Sequence, residues 1–98
     1  HIEQGPVLER NGDTIGVVVG AQGQRWYEVT ITGMEAHAGP TPMAVRRDAL
    51  VGAAAIVTAV NKIGHDFQPG ACATVGAGAV NAGGAADLVH ALIGVAGV

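Results

Sequence analysis

Arg25-Trp26-Tyr27-Glu28-Val29-Thr30-Ile31-Thr32 alternates with a period of two. Tyr27, Val29 and Ile31 fall on one face, and Trp26, Glu28, Thr30 and Thr32 on the other. The segment therefore predicts a strand with one buried and one wetter side. Gly33 ends it. Upstream, Thr14–Val19 (TIGVVV) is β-branched and apolar and predicts a second, buried strand, with Gly20–Gly23 as the interruption between them. Asn11-Gly12-Asp13 is a turn signal, and Val7–Arg10 is too short to classify.

Downstream, Glu35-Ala36-His37-Ala38-Gly39-Pro40-Thr41-Pro42 excludes regular structure, because its glycine and prolines interrupt both backbone ladders. Thr41 then suits an N-cap and Pro42 the first helical position, so a helix is predicted from Pro42 to about Ile63. Val45, Ala49, Ala53, Ile56, Val60 and Ile63 give it an apolar stripe, Lys62 suits its C-terminal dipole, and Gly64 suits the residue just past its end. Arg46 and Arg47 oppose the dipole and read as solvated, with Asp48 offsetting part of their charge. His65–Gly70 reads as a loop and Ala71–Gly76 as a third strand. The glycine-rich text beyond Ala77 ends in a short helix over Ala86–Ile93. This β–β–α–β order predicts an α+β layer: a mainly antiparallel sheet with helices on one face.

The 98 residues carry a formal charge of −3, with 49% apolar and 13% charged residues. Such a chain is long enough for one small domain, with a folded surface of roughly 5,100 Å². The low charge and the mean hydropathy of +0.37 exclude a disordered chain. Five basic against eight acidic residues leave no basic patch for nucleic acid or anionic lipid, and no apolar run is long enough to span a membrane. The chain contains no serine, which excludes a serine nucleophile. The lone Cys72 cannot form an internal disulfide and reads as a buried, inert thiol, so a cytoplasmic location is expected. A chain opening on His1 reads as part of something longer. One strand pair and a thin helix stripe are marginal alone, so association with other protein is expected.

Chemistry rests on few groups. Of His1, His37, His65 and His90, no two have the i, i+4 spacing of a helical metal pair, and no Cys-x-x-Cys is present. His1 and Glu3, two apart, share a face if extended. Trp26 and Tyr27 read as core or interface, and Gly12, Gly20 and Gly23 make no nucleotide fingerprint. His37 stands out, because it follows a strand and precedes the proline-punctuated loop. A rigid loop beside a helix N-terminus suits an imidazole that hydrogen-bonds an anionic ligand or an oxyanion.

Three strings go further. HIEQGPVLE (His1–Glu9), GAQGQRWYEVTITGMEAHAGPTPMAVRRDAL (Gly20–Leu50) and ATVG (Ala73–Gly76) closely resemble the binuclear-metal amidohydrolases that include N-carbamoyl-L-amino-acid hydrolase, allantoate amidohydrolase and β-ureidopropionase. These are relatives of the aminoacylase and carboxypeptidase-like metallopeptidases. The resemblance implies a two-domain enzyme whose catalytic domain holds two divalent ions, zinc or manganese, and whose smaller ferredoxin-like lid makes the homodimer. Residues 1–14 would be the catalytic-domain edge and hinge, 15–80 an incomplete lid, and 81–98 a divergent C-terminal segment. It also implies that His1 is a metal ligand, that Gln4 lies at the substrate, and that His37 reaches the partner subunit's active site. There it would polarise the scissile carbonyl as metal-bound hydroxide attacks.

The other metal ligands and the catalytic glutamate of that family have no counterpart here, so no stable metal binding by this chain alone is expected. The family's carboxylate-binding asparagine falls at Ala86, and Asn81 does not take that role. The expected substrates are small N-carbamoyl amino acids or ureido compounds. The alternative is a stand-alone, non-catalytic dimerisation module.

Overall fold

The alternation around Tyr27 is realised in β1 (Gly23–Thr32) of a computed structural model, which describes residues 2–82 and 86–97. Val29 and Ile31 are half-buried on the face turned to the long helix, whereas Trp26, on the other face, is 62% exposed. The sheet is completed by β2 (Ala71–Ala82) and β3 (Ala86–Gly97) in the order β1-β3-β2, with both pairings antiparallel. With the helix on one face this is the α+β layer expected from the sequence.

The central place of β3 overturns the helix expected over Ala86–Ile93. A helix that short is marginal in water. As a strand, the same residues satisfy the backbone groups of two neighbours at once. Tyr27, Ile93 and Val75 lie in one row across the sheet, and Trp26, Gly94 and Thr74 in the next. The indole of Trp26 lies over Gly94: a Cβ there would sit 3.0 Å from its ring. β2 also runs beyond its expected end, past an irregularity between Val75 and Ala77 where Gly76 interrupts the register.

The long helix α2 spans Ala49–Asp66, so the expected start at Pro42 is seven residues too early. Met43–Val45 makes only a 3-10 turn. The cap is Asp48, not Thr41, and its carboxylate accepts from the Leu50 and Val51 N–H groups at 2.9 and 3.4 Å. The middle of the apolar stripe is as read, with Ala49 and Ala53 buried against Ile31 and Ile56 and Val60 half-buried, but its two ends are not: Val45 lies before the helix and both it and Ile63 are exposed. Gly64 lies inside the helix rather than beyond it. A Cβ there would come within 3.3 Å of the Ala73 backbone nitrogen, so glycine lets α2 approach β2 closely. Lys62 pairs with Asp66 one turn on, both exposed.

Two other expectations fail. Thr14–Val19 forms no strand, and Ile15, Val17, Val18 and Val19 are each 83–97% exposed. β-branched residues favour extended backbone, but burial needs a partner surface, and among the described residues the close approach of Leu8 to Gly16 leaves the stretch exposed. Before that stretch comes a short helix, α1 (Val7–Asn11), closed by Gly12 in the left-handed region. Cys72 is exposed, not buried.

The molecule extends 60 × 19 × 19 Å with a radius of gyration of 18.8 Å, where a compact chain of this length would give about 13 Å. Its accessible surface of 7451 Å² likewise exceeds the roughly 5,100 Å² expected of a compact fold. No described helix is long and apolar enough to cross a membrane.

Candidate functional site

His37 sits just past the end of β1, on a loop tied at both ends. Met34 N–H donates to the Arg47 carbonyl at 2.8 Å, which joins the strand exit to the residues before α2. Ala36 is buried and anchors the chain, and the next residue, His37, is exposed. The Gly39 N–H then turns back and donates to His37 Nδ1 at 3.1 Å. With Nδ1 accepting, the neutral ring carries its proton on Nε2, which is left as a donor on an exposed edge. The imidazole is thus a fixed donor offered outward.

The helix that follows begins at Ala49 rather than at Pro42. The first free N–H groups of α2 belong to Leu50 and Val51 and are taken by Asp48. The positive group at this loop is instead Arg46, which the sequence reading placed in solvent. Its Nη2 donates to the Ala38 carbonyl at 2.5 Å and to the Thr41 carbonyl at 2.9 Å, and its Nε donates to Thr41 at 3.0 Å. Arg46 is half-buried by this engagement. One signal was available: a positive charge in the first turn of a helix is unfavourable, and the conflict disappears once the helix begins after Arg46.

Gln4 is exposed and has φ of 58°, the left-handed region that non-glycine residues enter at a cost of about 1–2 kcal/mol. The Glu3 carboxylate accepts from the Val7 and Leu8 N–H groups at 3.0 and 3.1 Å and so holds the chain at the base of α1. His1 lies outside the described residues. Among the described residues no group of three or more His, Cys, Asp or Glu could hold a metal ion. The donor set among the described residues therefore does not fit the two divalent ions that the resemblance implies.

A groove of about 300 Å³ at the far end of α2 is lined by Asn61, Gly64, His65, Gln68, Cys72 and Ala73. Gln68 spans it, donating from Nε2 to the Gly64 carbonyl at 3.3 Å and to the Ala71 carbonyl. His37 is not part of it.

No family model matches the chain. Over 76 residues it is 49% identical to an N-carbamoyl-L-amino-acid amidohydrolase of Rhizobium meliloti, a match covering 78% of this chain and 18% of that one. Over 48 residues it is 62% identical to an allantoate amidohydrolase of Escherichia coli, covering 49% of this chain and 12% of that one. The crystal structure of an amidase of the hydantoinase/carbamoylase family from Burkholderia multivorans superposes with a TM-score of 0.92 at 56% identity. That match covers 98% of this chain and 24% of the amidase. The chain thus spans about a fifth of the length of the curated relatives it matches and about a quarter of the solved one.

Proposed function

Because the chain belongs to the hydantoinase/carbamoylase family of amidases, we propose that it is the segment carrying His37 in an enzyme that hydrolyses linear amides. The substrate class is N-carbamoyl amino acids or the related ureido compounds, as the names of its relatives suggest. The observation that carries this reading is the exposed His37 ring accepting the Gly39 N–H at Nδ1, which leaves Nε2 as the donor of a neutral imidazole.

In hydrolysis, water adds to the carbonyl carbon and the carbonyl oxygen becomes an oxyanion. The C–N bond then breaks and the amino group leaves with a proton. A donor already oriented toward that oxygen strengthens its hydrogen bond as charge develops, which lowers the barrier. His37 supplies that donor. Gln4 contacts the substrate from the other arm of the chain. The nucleophile and the two divalent ions, zinc or manganese, belong to the rest of the enzyme, with His1 the ligand this segment adds.

Exposure of His37 supports action on a neighbouring subunit, since its own segment supplies no reaction centre among the described residues. The surface in excess of a compact fold supports a homodimer through this lid segment. By the same observations, the segment on its own is a dimerisation module without activity.

In the full-length enzyme, His37→Ala should lower kcat for an N-carbamoyl amino acid by about 10²–10³. Unchanged turnover would overturn the role. Mixing His37→Ala subunits with subunits inactivated elsewhere tests the direction: heterodimers regain activity only when the ring works across the interface.

A further inference from the structure

We propose that Arg46 is the positioning residue of this site, acting through the turn it clamps to hold the His37 ring as an Nε2–H donor. The proposal rests on the role given to His37 above. Arg46 touches no reacting atom; its effect passes through the backbone. Its guanidinium joins the carbonyls at the two ends of the Ala38–Thr41 turn, the first at 2.5 Å and the second through two N–H groups at 2.9 and 3.0 Å. Between those two carbonyls lies Gly39, whose N–H sets the ring through Nδ1.

The chain of contacts is continuous: guanidinium, turn carbonyls, Gly39 N–H, imidazole. Its base is also fixed. The Arg46 N–H donates to the Met43 carbonyl at 3.2 Å, and the Arg47 carbonyl holds Met34 N–H at the exit of β1. A planar fork with several donors can bridge two carbonyls at once, whereas an ammonium offers a single point charge. Charge-assisted bonds of this kind are the stronger class, which suits a loop whose glycine and prolines give it no ladder of its own. Released from the guanidinium, the turn can rotate Gly39 N–H away, and the ring is free to exchange tautomers and directions.

The test uses the full-length enzyme. Arg46→Ala is expected to lower kcat about 10- to 100-fold, the usual cost of misplacing a catalytic group, with a smaller change in KM. Added guanidinium should restore part of the loss, and Arg46→Lys should fall between the two. In the His37→Ala background, Arg46→Ala should cost less than about twofold more, because residues acting as a unit are not additive. Histidine-selective ¹⁵N spectra, with the His37 signal assigned by its absence in His37→Ala, should show the Nε2–H form in the parent enzyme and mixed tautomers in Arg46→Ala.

Full additivity of the two substitutions, an unaltered tautomer, or full activity in Arg46→Ala each overturns the proposal. Should Arg46→Ala fail to fold, Arg46→Lys carries the same readouts. If His37→Ala leaves turnover intact, the functional reading falls by itself, and the tautomer spectra of the Arg46 variants still decide whether the clamp exists.

Discussion

The loop that carries His37 and the stretch from Ile15 to Val19 are both irregular, yet they are built in opposite ways. The loop is polar and glycine- and proline-punctuated, and it is tied down by Arg46, by Gly39 N–H and by the Met34–Arg47 backbone bond. The Ile15–Val19 stretch is apolar and almost wholly exposed. One carries its own restraints; the other depends on a surface that the described residues do not supply. The restraints on the loop are therefore hydrogen-bond partners, which hydropathy alone does not report.

Four substitutions break or sharpen that contrast. The largest effect is expected at Val18→Asp in the full-length enzyme. If the remainder of the protein covers the apolar stretch, a buried carboxylate there costs at least about 2 kcal/mol in thermal unfolding. An unchanged transition would mean that the stretch stays in water. Next, Ala49→Leu forces a larger side chain against Ile31, where Ala49 is 2% exposed. A loss of about 1–3 kcal/mol is expected by denaturant titration. Removing the cap of α2 with Asp48→Ala should cost about 1 kcal/mol by the same titration, leaving the tied loop next to a frayed helix. The smallest effect is expected at Lys62→Ala. Its pair with Asp66 is exposed on both sides, so no more than about 0.5 kcal/mol is at stake, and added salt should erase it.

The sequence made some of this legible. Alternation around Tyr27, Val29 and Ile31 located β1, but only Val29 and Ile31 are half-buried toward the helix, and Tyr27 is 47% exposed. The stripe through Ala49, Ala53, Ile56 and Val60 was readable for the same reason. The start of α2 was not: Thr41-Pro42 has the local chemistry of a helix start, but Arg46 engages the turn and Asp48 caps the helix seven residues later. β3 was hidden because Leu88-Val89-His90-Ala91-Leu92-Ile93-Gly94 carries no regular alternation, and what makes it a strand is the pair of edges it satisfies. The loop of His37 was found through its glycine and prolines. The guanidinium that holds it lay in a charge pattern read only for its conflict with the helix dipole.

The middle position of β3 has a bearing on how the sheet comes to exist. Neither β1 nor β2 touches the other, so every rung of β1 must wait for residues from the far part of the polypeptide. During synthesis on the ribosome, β1 emerges before β2 and β3 and stays unpaired until β3 arrives, which is the slow, non-local kind of closure. A nascent protein halted before Leu88 would present two open edges to any chaperone, or to any like chain nearby.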